Sequence, residues 1–539
     1  MDRLFTRLFP FILLIIISFL YTWPFFQPGF FTSHDGEWAV IRLAEMQREI
    51  KDGQLPPRWA GFLNHGYGYP LFHFTYPFPY YLGLIPRALG VGFIDSVKLI
   101  FVGSVVISAT AMYLLGRELS GSFGGFIASV FYIAAPFRLV NLYVRGSIGE
   151  SLSLAIIPLL FYAAHRYIVK PTTLRLALTS LLLGVLILTH NITALVVLPI
   201  FAMFYTAIVA TYFEDFKKFA FRFIIICGLG LGISSYFFLP ALIEKKYIAL
   251  SLIPLADVRQ HFIQLKEFIN SSWSYGNRPS FALGWLILLT AFIGMIAVGI
   301  AGREQRKKYL PLLVFLLISI GGLVFLTNKS SFFFWGLPPL SWIDFPWRFL
   351  TPLTFILSLS TIFVAIHRRL RYIGVAFCLI TAFVGLQFAI PSEYFSKPDE
   401  YYFTNDATTT SADELMPLWV IDKPHVRFDK KVTVKEGDAS ITDLYYDSHK
   451  IQFHSNASLG SRLLINTIYF PGWEFTIDQD KTEIDYSNPM GIMSLNVSEG
   501  EHEVMGMFTR TPVRAISELI TLCSLIFVAI LIIKSLLKQ

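Results

Sequence analysis

Residues 150–212 read ESLSLAIIPLLFYAAHRYIVKPTTLRLALTSLLLGVLILTHNITALVVLPIFAMFYTAIVATY. Apolar runs at 150–168, 174–190 and 193–212 are each about as long as a helix must be to cross roughly 30 Å of bilayer hydrocarbon. One junction between them is basic, with Arg166, Lys170 and Arg175; the other is short and polar, Thr189-His190-Asn191-Ile192-Thr193. Basic and non-basic junctions that alternate along the chain mark a polypeptide threaded through a membrane.

Outward from this stretch the pattern repeats at 8–26, 95–115, 123–137, 220–240, 281–301, 310–327, 347–366, 372–390 and 514–533, for about 12 spans in all. Composition agrees. The 539 residues are 54% hydrophobic and only 15% charged, too little charge to clothe a water-soluble globule of that size. Arg3 and Arg7 precede the first run, which leads into Trp23-Pro24-Phe25-Phe26 with no small-residue cleavage site, so it reads as a retained helix and not a signal peptide. The net charge of +7 belongs to short loops, not to nucleic-acid binding: Arg117, then Lys217 with Lys218 and Arg222, then Arg303 to Lys308, then Arg368 to Arg371, all fall on the side of Arg166 and Arg175. That side is expected to be cytoplasmic, with both termini on it. Cys227, Cys378 and Cys523 each lie in an apolar run, and neither disulfide nor zinc-ligand spacing is present.

Everything long then falls on the other, extracytoplasmic face: a first loop at 27–94, shorter ones near 138–149, 241–280 and 328–346, and a soluble domain at 391–512. The expected division is a transmembrane domain at 1–390, the soluble domain, and a last helix with its tail at 513–539. In the soluble domain, Lys431 to Val434, Ile451 to His454 and Trp473 to Ile477 alternate polar with apolar residues. Turn signals at Glu436-Gly437-Asp438, Pro471-Gly472 and Glu499-Gly500-Glu501 separate them, which predicts a β-sandwich-like fold. Ser411-Ala412-Asp413-Glu414 fits a capping box and predicts a short helix before it.

The chemistry-bearing residues gather on the extracytoplasmic side. His34-Asp35-Gly36 follows the first span, and an amphipathic helix with Trp38, Ile41, Leu43, Ala44, Met46 and Ile50 on its apolar side follows that, expected to lie along the membrane surface. Asp35 suits a helix N-cap, and equally a catalytic base, and one carboxylate can serve as both. The loop continues through Arg58, Trp59, Tyr69 and His73, dense in rings that suit sugars or isoprenoids but also an interfacial aromatic belt. Glu150 opens a span, where a carboxylate is costly and is a functional candidate; Arg145 is its natural partner. His190 and Asn191 make a tight turn, with His190 a ligand, a proton carrier or a turn residue. Asp344 and Arg348 lie in Asp344-Phe345-Pro346-Trp347-Arg348-Phe349. Arg348 either snorkels or grips a phosphate.

These motifs carry a resemblance. His34-Asp35-Gly36, Pro57-Arg58-Trp59, Gly66-Tyr67-Gly68-Tyr69-Pro70, Arg145-Gly146 with Glu150, His190-Asn191, Asp344 to Phe349 and Glu414 to Pro417 resemble the bacterial membrane family labelled 6-pyruvoyl-tetrahydropterin-synthase-related. Tyr469-Phe470-Pro471-Gly472-Trp473 looks like the distal domain of related membrane glycosyltransferases that decorate lipoteichoic acid. The whole layout is similar to GT-C glycosyltransferases. That resemblance implies a polyprenyl-phosphate-linked sugar donor, a glycan, lipid or protein acceptor, and Asp35 at the family's acidic catalytic position. If a divalent metal, magnesium or manganese, is used, Asp35, Glu150 and His190 are the residues that would hold it. An Asp-x-Asp in the second loop is missing, and Glu150 is the nearest substitute. On this reading Asp35, Glu150 and His190 form the catalytic group, and His34, Arg58, Trp59, Tyr69, His73, Arg145, Asn191, Asp344 and Arg348 bind substrate.

Two other classes compete. A transporter of lipid-linked saccharide would carry ionisable groups near the midplane and internal repeats, whereas here they sit at helix ends and no repeat is visible. A non-catalytic envelope scaffold would have no cavity under the first loop.

Overall fold

The computed structural model describes residues 2–212, 215–252, 255–276, 278–404, 407–410 and 412–537, with side chains from residue 8 onward. Among these, nine helices are long and apolar enough to cross a membrane, and Thr173–Thr189 and Trp285–Gly299 are shorter apolar helices. One of the nine, Phe93–Ala134, has 42 residues. Straight, it would reach about 63 Å at 1.5 Å per residue, twice the hydrocarbon thickness. It does not run straight. Gly121 has φ 85 and ψ 170, a conformation glycine adopts freely, and the chain folds back there. A Cβ on Gly116 would stand 2.6 Å from the Gly125 Cα, and the Ser129 hydroxyl donates to the Ala109 carbonyl. Two spans therefore pack through glycine and serine, the small residues that let helices approach closely in lipid. With this hairpin counted as two, the bundle matches the expected spans.

The second loop departs from expectation. Residues 135–147 do not project from the bundle. The short helix Pro136–Leu139 and a π-turn at Val140–Val144 run inside it, and every residue from 127 to 158 is buried. Irregular backbone at membrane depth is tolerated only where protein encloses it, and here the enclosing helices supply the partners. Arg138 donates 2.7 Å to the Ser108 hydroxyl. The Tyr143 hydroxyl donates to the Tyr21 carbonyl.

The amphipathic helix forms at Gly36–Lys51, with Ile41, Leu43, Ala44 and Met46 buried as its pattern predicts. Its polar side is also covered, because Glu45 and Glu49 are buried under residues 52–62. The helix is thus clamped between bundle and loop instead of lying on an open surface. The cause is local: Phe62 N donates 3.1 Å to Glu45 Oε1, and Ser448 N donates 2.9 Å to Asp52 Oδ2.

The β-region holds two antiparallel sheets. The five-stranded one runs in the order Ala439–Tyr446, Lys450–Ala457, Gly500–Phe508, Trp473–Ile477, Asp480–Thr482; the three-stranded one in the order Val432–Glu436, Ser461–Ile468, Ile492–Val497. Inward residues alternate along the strands, with Ile451 and Phe453 from one sheet and Leu463 and Ile465 from the other in a shared core. Of the predicted capping box, Ser411 lies outside the described residues. Residues 412–418 form turns, not a helix. Leu250 N and Ala249 N each donate 2.9 Å, to the carbonyls of Glu414 and Met416, and this pairing draws the segment out of helical geometry. A helix forms upstream, at Asp399–Thr404.

Candidate functional site

The buried segment 140–150 presents a guanidinium and a carboxylate to each other. Arg145 Nη1 lies 2.7 Å from Glu150 Oε2. Asn141 Oδ1 accepts from the same Nη1 at 2.5 Å, and the Thr351 hydroxyl donates to Glu150 Oε2 at 3.1 Å. Glu150 is 1% exposed, and a charge so placed needs this company. Its second oxygen, Oε1, has no hydrogen-bond partner. His190 Nε2 lies 4.0 Å from it. His190 Nδ1 accepts from Thr193 N at 3.1 Å, so the ring proton sits on Nε2, facing Glu150.

Two glycines explain how other segments reach this pair. Gly146 has φ 60, and a Cβ on it would stand 2.8 Å from Gly36 N. Its absence lets the Asp35 loop lie directly on the Arg145 turn, where Asp35 N donates 2.8 Å to the Arg145 carbonyl and His34 N donates 3.1 Å to the Val144 carbonyl. A Cβ on Gly149 would stand 2.5 Å from Tyr76 Cζ, so this glycine makes room for the Tyr76 ring, which also packs 4.9 Å from the His190 ring.

Asp35 occupies the N-cap position of Gly36–Lys51, yet its side chain makes no capping hydrogen bond. The cap reading of this residue falls. Its half-buried carboxylate has no hydrogen-bond or ion-pair partner among the described residues. Arg348 joins from the fourth loop. Phe345 and Trp347 lie 5.6 and 5.9 Å from its guanidinium carbon, and its Nε is buried without a hydrogen-bond partner among the described residues. Arg145 stacks 4.3 Å over the Trp347 ring. The structure thus brings together Arg145, Glu150 and His190, with Asp35 hydrogen-bonded through its backbone to Arg145 and Arg348 sharing the Trp347 ring with Arg145. His34 borders the group, its Nε2 donating 3.2 Å to the Tyr275 carbonyl. Asn191 and Asp344 lie beside it in sequence, and their side chains have no hydrogen-bond partner among the described residues.

Four predicted binding residues are engaged elsewhere. Arg58 Nη2 donates 3.0 Å to Glu518 Oε1 in the last helix. His73 Nε2 lies 2.8 Å from Glu244 Oε2, which Arg514 Nη2 also meets at 2.8 Å. This buried ionic network ties the first loop to helices Phe216–Glu244 and Pro512–Leu536. Trp59 is fully buried against Phe470, Trp473 and Phe508, at the seam with the β-region. The Tyr69 hydroxyl lies 2.8 Å from the Thr409 hydroxyl and accepts from Thr409 N at 3.1 Å. Arg58, His73 and Tyr69 thus each meet a polar group of another element, while Arg58 Nε and Trp59 Nε1 are buried without a partner among the described residues.

The residues do not fit a resident divalent metal. Glu150 already carries a guanidinium, and no group of three His, Cys, Asp or Glu able to hold a metal occurs among the described residues.

Sequence reasoning missed Tyr76, Tyr80, Thr351 and Asn141. Tyr76 stood in an aromatic run where no ring was distinguished, and only the Gly149 spacing beside Glu150 could have singled it out.

An uncharacterized protein of Lactococcus lactis subsp. cremoris is 24% identical over 248 residues, covering 44% of this chain and 40% of that protein. Arabinofuranosyltransferase AftD from Mycobacteria is 16% identical with a TM-score of 0.41, over 72% of this chain and 26% of that one. The archaeal oligosaccharyltransferase AglB from Archaeoglobus fulgidus, in complex with an inhibitory peptide and a dolichol-phosphate, is 14% identical with a TM-score of 0.44, over 77% of this chain and 61% of that one. The chain spans less than two thirds of the length of each, and neither structural likeness is close enough to place a residue. The family described as 6-pyruvoyl-tetrahydropterin synthase related domain, a membrane protein family, matches residues 72–392, more than half the chain. The protein therefore belongs to that membrane family.

Proposed function

We propose that the chain is a membrane glycosyltransferase that moves a sugar from a polyprenyl-phosphate donor to a hydroxyl of an extracytoplasmic glycan, lipid or protein. The observation that carries this reading is the Asp35 carboxylate, without a hydrogen-bond partner among the described residues, on a backbone whose N–H donates to the carbonyl of Arg145, the residue that pairs with Glu150. The sequence puts the basic residues in the alternate short loops expected to be cytoplasmic, which supports an extracytoplasmic site.

Asp35 accepts the proton of the attacking hydroxyl as its oxygen bonds to the anomeric carbon. The bond to the phosphate oxygen breaks on the other face, its electron pair leaves with the phosphate, and the anomeric centre inverts. Arg348, with an unspent Nε, takes up the developing charge. Arg58 is less suited, since Glu518 already neutralises it. Phosphate is a good leaving group, so positioning and charge stabilisation supply much of the rate.

The test is transfer from polyprenyl-phosphate sugars by the full chain in proteoliposomes. Asp35→Asn is expected to lower turnover by about 10²–10⁴, the usual contribution of a general base. Full turnover in that variant would remove Asp35 from the mechanism.

A further inference from the structure

The β-region holds a serine, a histidine and an aspartate within reach of one another, none of them part of the Asp35 and Glu150 group. Asp478 and Gln479 both have positive φ, 51 and 75, and they alone separate Ile477 from Asp480, which pair across a hairpin. Two such residues make the primed turn that matches the twist of its strands. Asp478 is then fixed on two sides by one neighbour: its N–H donates 2.9 Å to the Glu503 carbonyl, and its Oδ1 accepts from Glu503 N at 2.9 Å. Its other oxygen, Oδ2, lies 2.6 Å from His502 Nδ1. Glu501 and Glu503, the other acids of that strand, are turned to Asn456 and Gln452.

An ionised carboxylate only accepts, so Nδ1 carries the ring proton and Nε2 keeps its lone pair. That lone pair faces Ser498 Oγ at 3.0 Å, within the reach of a general base. The hydrogen bond to Asp478, helped by the backbone of Glu499 and Ser498, raises the His502 pKa above the ordinary histidine value and so makes the ring a stronger base. Ser498 stands in the two-residue link between Ile492–Val497 of one sheet and Gly500–Phe508 of the other. It is exposed, so a reactant reaches Oγ from solvent. The N–H of Glu499 donates to no group among the described residues. A free N–H on the residue after the serine is where nucleophile-elbow enzymes place one donor to the oxyanion.

These are the roles by which a serine nucleophile is recognised on unrelated folds. We infer that Ser498 is a nucleophile toward small carboxylic esters, with His502 as its base and Asp478 as the residue that orients the ring, a hydrolytic activity separate from glycosyl transfer. Ser498 Oγ bonds to the ester carbonyl carbon as His502 Nε2 takes its proton. The tetrahedral centre then collapses, the alcohol oxygen leaves with the bonding pair and receives that proton, and the acyl group stays on Ser498. Water completes the cycle. It gives a proton to His502 as its oxygen bonds to the acyl carbon, and Ser498 leaves with the proton returned, so one ester and one water become one alcohol and one carboxylic acid. Because Ser498 is exposed, the ester must present its carbonyl openly, as an acetyl group does and a long acyl chain in need of apolar enclosure does not.

The full chain in detergent is treated with a fluorophosphonate, which marks serines that a base activates, and the adduct is located by mass spectrometry. The adduct is expected on Ser498, absent in Ser498→Ala, and formed about 10²-fold more slowly in His502→Gln, the low end of a general base's contribution because water reaches the half-exposed Asp478. Asp478→Asn keeps an acceptor for Glu503 N, and with it the hairpin. It should move the pH of half-maximal labelling downward, since the carboxylate no longer raises the His502 pKa; a merely structural aspartate would leave that pH in place, and such a result removes Asp478 from the role. Wild type should turn over 4-nitrophenyl acetate, and Ser498→Ala should not. An unmarked Ser498, or labelling undiminished in His502→Gln, overturns the inference and reduces the three residues to a hydrogen-bonded chain that pins two turns. Release of no more than one equivalent of 4-nitrophenol overturns the hydrolysis. None of these readouts depends on sugar transfer.

Discussion

Arg145 Nη1 and Glu150 Oε2 meet at 2.7 Å inside a bundle where both side chains are almost inaccessible. Breaking such a pair from one side strands a charge, at a cost of about 3–5 kcal/mol. Arg145→Gln should therefore lower the unfolding midpoint in detergent sharply. The double variant Arg145→Gln with Glu150→Gln should recover much of the loss, because no charge is left unpaired. A double variant no more stable than Arg145→Gln alone would show that Glu150 is not ionised against Arg145.

Gly149→Ala tests the seat of Tyr76. The added methyl would stand 2.5 Å from Tyr76 Cζ, so the ring must move, with an overpacking cost of about 1–3 kcal/mol. Thermal unfolding should show that loss in Gly149→Ala. The loss should shrink when Tyr76→Ala is added, since the methyl then fills vacated space. Independent, additive effects of the two changes would mean that the ring does not lie over Gly149.

The sequence made the ionisable candidates conspicuous and hid the partners of Arg58 and His73 for one reason. Asp35, Glu150 and His190 are ionisable groups at span ends, and a single residue in that setting is conspicuous because lipid makes it costly. Arg58 and His73 are equally conspicuous, but what spends them is remote: the Arg58 partner Glu518 is 460 residues away. Spacing along a chain carries no trace of that contact. Span periodicity likewise located the helices yet placed 138–149 outside the bundle. The Val140–Val144 π-turn and the buried loop after it break the helical period, so their burial leaves no signature to read.

Lys431 makes the docking of the β-region depend on pH. Its ammonium donates 3.0 Å to the Gly66 carbonyl and 2.9 Å to the Asn466 carbonyl. Burial, with the Arg427 charge second, pushes its pKa down to about 7. The unfolded chain keeps a lysine near 10.4, so between about pH 7 and 10.4 the unfolded state binds more protons, and stability rises with pH across that window. Below it the lysine is charged in both states and the burial cost is felt in full. Lys431→Met should flatten this rise, in unfolding midpoints taken at pH 6.5 and 9. An unchanged slope would exclude Lys431 as its source.

Glu49 should act with the opposite sign. It is fully buried in Gly36–Lys51, and neither carboxyl oxygen has a hydrogen-bond partner among the described residues. Burial, then the charges of Glu45 and Asp52, holds its pKa well above the usual carboxylate range. A carboxyl whose folded pKa is raised contributes stability that is complete below the unfolded value near 4.3 and is lost as pH climbs toward the folded value. Over that range the native state holds the extra proton. Glu49→Gln keeps the shape and removes the titration. At pH 8 it should therefore be at least as stable as wild type, and its advantage should fall away as pH is lowered toward 4.5. If Glu49→Gln were instead less stable at pH 8 and closer to wild type in acid, Glu49 would be an ionised residue with a partner, and helix Gly36–Lys51 would be held to its loop by charge instead of by packing around a neutral acid.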